Sequence, residues 1–600
     1  MQKSPYWLII YLLLRANLAS SSVPAPYTKI PTTPFFIEPY RLRTIEQTIF
    51  SPEVDGMVSN RWGDLNWNPA YLALQTRKAL YIDFNFVSPT TESTIVLPIY
   101  YPYQVASHNV DYIVAPRWFT TTTTQTVNTE PLYNLALILP VSAKTSIGIA
   151  NRTLFDYGSY RTATWWENYG WRDAKAYQVN SNIPSLSPAR LEIDENQQTV
   201  IGNQLEFNLG HQHTSQQEVG IHLGGFIFRR FGHLYDSKYG YYPHYSFANL
   251  NKEKMGIKAY HLDAGLGTIV HPNERHSFGV MVGYIFGNSS EVQSSRDTAK
   301  TWAENELNPT YYYLNQYDLS SRDHHSDDGK SPYVKLIYSY QISPKLVLNT
   351  RLAFSSVNHS YRTTSNALDS GNSDYVYVTW SWTDSLFHNQ RQQSENSRTY
   401  ELTGSGKDKG QVGQFLLSLT YLAEDDWEFF SGFSCTYNYY TKDIHEDDNL
   451  ITANFLEYSL YDSRTIRWLK SHQKRYTYHY THTDWKVICP LGVKLAASPH
   501  VRLILGSELQ LTLNEEKSSG ENRYVEVIAK RWDSGYLTQD DEETNRRENF
   551  SDKPPRTFDR KTTVRVGVAL QHKSGVTLFI RSGSELFSTT GWALGFNIEW

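Results

Sequence analysis

The stretch Val501-Arg-Leu-Ile-Leu-Gly-Ser-Glu-Leu-Gln-Leu-Thr-Leu513 decides the fold. Val501, Leu503, Leu505, Leu509, Leu511 and Leu513 share one side of a two-residue repeat, interrupted only by Ser507. Arg502, Glu508, Gln510 and Thr512 share the other with Ile504 and Gly506. Successive side chains of a strand point to opposite faces, so this reads as a strand with one apolar and one wetter face. The C-terminus repeats the pattern, with Trp592, Leu594, Phe596, Ile598 and Trp600 set against Ala593, Gly595, Asn597 and Glu599. Residues 277–286 and 564–571 behave alike.

Working outward, segments of this kind fill the chain from about residue 79, and their connections alternate in length. Very short turns are predicted near Ser142-Ala143, Thr214-Ser215, Pro272-Asn273, Ser343-Pro344, Glu424-Asp425, Ser498-Pro499 and Lys573-Ser574. Between them lie polar stretches, 156–199, 229–256, 288–331, 358–410, 438–483 and 514–561, which read as loops. Loops this long are uncommon in compact soluble domains. Short turns on one side and long loops on the other are the pattern of a transmembrane antiparallel β-barrel, closed because hydrocarbon tolerates no open sheet edge. Seven short turns join fourteen strands; a first strand at 79–87 and a last at 591–600 make about sixteen. An extra hairpin in 93–119 would give eighteen, so the range is roughly 14–18. The class is all-β, with long extracellular loops, and Trp600 resembles the terminal aromatic residue by which the barrel-assembly machinery recognises its substrates.

Composition agrees. The 600 residues include 44 Tyr and 16 Trp but 4 Met, and mean hydropathy is -0.51. A net charge of -5 without a basic field argues against nucleic acid. Two cysteines exclude a disulfide scaffold and a cysteine zinc cluster. Lys3, the apolar run Trp7 to Leu14 and the small residues Ala19-Ser20-Ser21 read as an export signal over 1–21. Residues 22–78 form an N-terminal segment and 79–600 the barrel. The location expected is the bacterial outer membrane, in contact with its lipid and lipopolysaccharide.

Within 22–78, Gly63-Asp-Leu-Asn-Trp-Asn-Pro-Ala-Tyr-Leu-Ala-Leu74 reads as a loop followed by a short helix. Asn68 is placed to cap it, with Pro69 in the first helical position and Ala70 next. The Asn68-Pro69-Ala70 segment before the first strand resembles that of the long-chain fatty-acid transporter (FadL-like) barrels and the related type IX secretion shuttle barrels. Leu135 to Val141, Lys144 to Ile149 and Asp156-Tyr-Gly158 are similar to that family's Pro-ending strand, tight turn and strand leading to an aromatic loop. The chain departs from the family at Tyr71, where Gly is usual, and in the bulky run Met57 to Trp67. The resemblance implies that about 45–78 forms a hatch inside the lumen.

If the apolar faces meet lipid, the other faces line the lumen. Its candidate residues are Lys335, Arg351, Lys486, Lys494, Arg502, Glu508, Arg565 and Arg581. Such a wall could orient a polar solute; the alternative is an interior closed by salt bridges between wall and hatch. Arg322-Asp-His-His-Ser-Asp-Asp328 carries cation-ligand residue types, but in a polar loop it reads as solvated, and no metal or cofactor is expected. No nucleophile elbow, phosphate loop or His-Glu-x-x-His is present, so the reading is not an enzyme. The function expected is passage or binding of a small solute, hydrophobic if the resemblance holds. The rival is a surface interaction protein, an adhesin or secretion scaffold, using Tyr-rich loops such as Tyr311 to Tyr313 and Tyr239 to Tyr245. Cys435 and Cys489 fall on lipid-facing positions of consecutive strands and are expected as nearby free thiols.

Overall fold

The computed structural model describes residues 43–57, 61–85, 90–96, 103–107, 110–114, 116–168, 190–241, 246–304, 312–381, 386–424, 427–459, 464–582 and 593–599. The export signal, the Pro-rich start, residues 242–245 and 311 of the two Tyr-rich runs, and Trp600 lie outside them. The described chain begins with turns of 3-10 helix at Gln47–Ile49 and Pro52–Val54, then helix α1 (Arg61–Trp67) and a 3-10 turn at Pro69–Leu74. Strands β1 (Ala79–Asn85), β2 (Thr90–Val96), β3 (Tyr103–Ser107), β4 (Val110–Val114) and β5 (Pro116–Ser142) follow. Next come β6 (Thr145–Asn168), β7 (Arg190–Thr214), β8 (Gln217–Tyr241), β9 (Ser246–Asn273) and β10 (His276–Glu304). Then come β11 (Tyr312–Ser343), β12 (Leu346–Ser381), β13 (Leu386–Glu424), β14 (Trp427–Ser459) and β15 (Arg464–Ser498). The last are β16 (Val501–Asp533), β17 (Tyr536–Asp552), β18 (Thr557–Gln571), β19 (Val576–Arg581) and β20 (Ala593–Glu599).

Eighteen of these form one antiparallel sheet. In it β2 continues the line of β1 along β5, and β17 continues the line of β18 along β16, leaving sixteen positions around the wall. Ala79 of β1 faces Ile138 of β5 and Glu599 of β20, which closes the ring. The sixteen strands expected from the turn count are therefore present. The hairpin in 93–119 exists as β3 and β4, but it pairs with itself and does not widen the ring.

The alternation becomes an inside and an outside. On β10, Phe278, Val280, Val282, Tyr284 and Phe286 are exposed, while Met281 between them is buried. On β16, Leu503 and Leu505 face out while Ile504 and Glu508 are buried in the lumen. Exposed apolar side chains on a closed ring form a lipid belt. Its edges carry aromatic pairs: Trp427 stacks on Phe429 at one, and Tyr437 meets Trp485, centroids 4.5 Å apart, at the other. From Trp427 to Tyr437 is about 25 Å along the membrane normal, taking ~3.3 Å rise and ~40° tilt, which is the height of an outer-membrane barrel's apolar band. The protein is a transmembrane barrel of the bacterial outer membrane.

One expectation needs correction. The stretches read as long loops are mostly strand, so β12 runs 36 residues and β13 runs 39, where roughly 9–11 suffice to cross a membrane. Above the belt the outer face meets water instead of lipid, and the inner face carries many polar side chains as well. Polar residues then occupy both parities, and the two-residue repeat that identifies a strand disappears although the ladder continues. The two cysteines, both free, lie on adjacent antiparallel strands as expected, but Cys435 faces Val487. Cys489 is therefore two residues off register, a diagonal neighbour at roughly 7–8 Å.

Candidate functional site

The lower lumen holds the N-terminal segment, and local sequence chemistry fixes its shape. Asn68 adopts extended backbone and its side chain accepts a hydrogen bond from Ala70 N (3.0 Å), with Pro69 opening the 3-10 turn. The Asn68 amide also donates to Thr268 O on β9 (3.0 Å) and Val280 O on β10 (3.1 Å). One buried side chain thus caps the turn and rivets it to the wall. Ala70 and Leu72 are fully buried.

The wall accommodates this turn through glycines. Gly210 on β7 faces Gly220 on β8, which faces Gly267 on β9. A Cβ at these positions would lie 2.5 Å from Ala73 N, 2.3 Å from Ala70 N and 2.1 Å from Asn68 Oδ1. The row forms a trough in which the turn rests directly on strand backbone. Sequence reading missed it, because glycine carries no periodic signal and the row exists only once register is known. The available hint was that all three glycines sit at inward parity close to short turns.

The predicted lumen residues fall mostly on this segment. Lys335 Nζ donates to Asn66 O (3.0 Å), and Arg351 pairs with Asp64 (2.7 Å). Lys486 pairs with Glu53, and Lys494 with Glu46 at 3.1 Å. Glu508 accepts from Ser51 N and Oγ (2.7 and 2.9 Å). Arg565 donates to Ile49 O (3.0 Å) and Arg581 to Thr48 O (3.2 Å). Arg502 alone stands apart, exposed near the Pro499-His500 turn. The wall charges thus meet a charged and carbonyl-rich face of the segment. Between them lies apolar contact: Ile49, Phe50, Val54 and Met57 pack on Leu416, Phe430, Ile488 and Ile504 of the wall. Trp62, Leu65 and Leu72 pack on Tyr81, Ala136 and Ile138.

Above the belt the lumen holds a second buried cluster. Lys442 on β14 lies 3.9 Å from Asp408 on β13 and over the ring of Tyr361 on β12 (4.8 Å). His359 of β12 lies 3.6 Å from Asp327 of β11, with His325 and Glu446 on the same inward faces. Burial, reinforced by Asp408 and opposed by Lys442, pushes the Asp327 carboxyl up to about 7. Burial likewise raises Asp408 to about 6 and lowers His325 and His359 to about 4. The run 322–328 is part of β11 rather than a loop. Alternation sends His324 and Asp328 outward and His325 and Asp327 inward, which separates the ligand types grouped in sequence.

This cluster sets a pH dependence. A raised carboxyl contributes stability below its unfolded value and loses it as pH rises through the folded value. Between pH 4 and 7 Asp327 therefore favours the unfolded state increasingly with pH, while His325 and His359, depressed, act in the opposite sense. Asp327→Asn removes the first contribution. Its stability relative to wild type should rise with pH by about 1.4 kcal/mol per unit over that window. Denaturant unfolding of both proteins at pH 4.5, 5.5 and 6.5 measures this, and a difference that stays flat contradicts the burial of Asp327.

No family model and no curated protein matches the chain. Among solved structures it is similar to a Pseudomonas aeruginosa FadL homologue, at 10% identity over 91% of this chain and 96% of that one, with TM-score 0.27. It is also similar to the CymD monoaromatic hydrocarbon channel, at 10% identity, 81% and 94% coverage and TM-score 0.28. A third is the P. putida toluene transporter TodX, at 10% identity, 79% and 93% coverage and TM-score 0.26.

Proposed function

We propose that the barrel admits a small hydrophobic solute through a lumen gated by its N-terminal segment. The observation that carries this reading is the apolar wall beneath the segment. Leu416, Phe430, Ile488 and Ile504 point into the lumen at membrane depth, where a water-filled pore would present polar groups. At rest they are covered by Ile49, Phe50, Val54 and Met57. Displacing the segment would expose an apolar track whose rim carries the charges that held it. The contacts are mixed in kind, and one of them, the Lys486–Glu53 pair, keeps both partners more than a fifth exposed, so its exchange for water is less costly than breaking a dry core.

The test is uptake of a small apolar fluorophore by intact cells whose lipopolysaccharide leaflet blocks passive entry. Expression of the wild-type barrel should raise uptake severalfold. Phe430→Arg, folded by heat-modifiable migration, should return it to background while a hydrophilic sugar stays excluded in both. Uptake unaffected by the wild-type barrel sinks the reading. A second reading rests on the height of the wall. Strands such as β13 continue far beyond the belt, and a tall, Tyr- and Ser-rich surface is suited to contact with other macromolecules.

A further inference from the structure

We propose that the outward face of β11–β13, just above the lipid belt, binds a phosphorylated saccharide headgroup of the outer-leaflet glycolipid. Lys330 of β11 and Lys409 of β13 both face Asn358 of β12, and Lys407 faces Ser360. Arg362 faces Ser405, two residues from Lys407 on the same side. Four exposed cations thus lie on three adjacent strands, spaced at ~4.8 Å between strands. Among the described residues none of the four has a carboxylate within 4.0 Å. The acids beside them are engaged elsewhere: Asp328 accepts from Asn288 (2.6 Å) and Asp443 pairs with His479 (2.6 Å). Arg362, Lys407 and Lys409 border a concavity of about 1060 Å³, which fits a saccharide-sized group.

Height selects the ligand. Tyr437, on the upper aromatic edge, faces Gly413 of β13. Lys409 and Lys407 lie four and six residues further out, about 10 and 15 Å above that edge along the normal. A phospholipid headgroup layer is only about 5–8 Å deep, so its phosphate would sit below the cluster. A glycolipid with an extended, phosphorylated saccharide places anionic groups at that level, where lysine and arginine make charge-assisted hydrogen bonds to them.

The experiment uses the full-length refolded barrel in detergent, with immobilised protein and four probes. These are purified lipopolysaccharide, the same material dephosphorylated, phosphatidylglycerol and inorganic phosphate. Wild type should bind intact lipopolysaccharide about tenfold or more tightly than the other three. The triple variant Arg362→Ala, Lys407→Ala, Lys409→Ala should lose about tenfold for intact material and little for the dephosphorylated form. Lys407→Arg with Lys409→Arg should retain binding. All three positions are exposed, and unchanged heat-modifiable migration confirms folding. Equal binding of dephosphorylated lipopolysaccharide, of phosphatidylglycerol or of inorganic phosphate overturns the assignment, as does a triple variant that binds like wild type.

Discussion

Gly220→Val is expected to drive the N-terminal segment out of its seat while leaving the barrel closed. A Cβ at position 220 would lie 2.3 Å from Ala70 N and 2.5 Å from Pro69 C. These are backbone atoms, so no side-chain rotation relieves the contact. Gly210 and Gly267 flank Gly220 in register and are themselves in contact with the turn, so the segment cannot slide sideways. Strand β8 is held by ladders to β7 and β9 and cannot retreat. The turn must therefore lift, losing the Asn68 bonds to Thr268 and Val280. Overpacking alone costs about 1–3 kcal/mol, and each net hydrogen bond adds roughly 0.5–1.5 kcal/mol. Valine is otherwise favoured over glycine in a strand by up to ~1 kcal/mol, so the intrinsic effect on β8 has the opposite sign. Limited proteolysis of the refolded protein should gain cleavage within 61–78, with heat-modifiable migration retained. Gly413→Val, where nothing lies within 4 Å of the new Cβ, serves as the comparison. Identical cleavage patterns for the two variants would refute the trough.

The sequence made the membrane part of this molecule legible because lipid imposes a strict rule there. One face must be apolar, so Leu503, Leu505 and Phe278 declare their orientation without any partner being known. The short turns were legible for a similar reason, and the observed ones at Ala143-Lys144, Ser215-Gln216 and Pro344-Lys345 fall within a residue or two of expectation. Two things were not legible. Above the belt no lipid requires the outer face to be apolar, so polar residues occupy both parities and residues such as 396–409 read as loop though they pair in full with β12. The pairing of wall with segment also depends on which strands meet. Lys486 and Lys494 could be placed on the inward face by parity, but their partners Glu53 and Glu46 lie more than 400 residues away in the chain. Parity assigns a face, whereas a partner requires register and the path of residues 43–74.

Arg351→Ala is expected to cost more than any other single truncation among the wall charges. Its side chain is 4% exposed and donates to Asp64 at 2.7 Å, and its guanidinium lies 5.3 Å from the centre of the Trp67 ring. Gly56, at φ +99°, lets the chain turn beneath it, and a Cβ there would lie 2.2 Å from Arg351 Cζ. Removing the guanidinium leaves Asp64 as a part-buried carboxylate without its cation, and breaking a buried pair in this way costs about 3–5 kcal/mol. Lys486→Ala should cost far less, about 1 kcal/mol or below, because both it and Glu53 remain more than a fifth exposed. Arg502→Ala, outside the contact, should change little. The decisive measurement is a double-mutant cycle by denaturant unfolding in a fixed lipid. Asp64→Ala added to Arg351→Ala should recover much of the loss, since the uncompensated charge is then gone, giving a coupling of up to about 3 kcal/mol. Strict additivity would mean that Arg351 acts through its packing over Trp67 and Gly56 alone. A loss for Arg351→Ala no larger than that for Arg502→Ala would mean that the segment does not occupy the lumen in the folded protein.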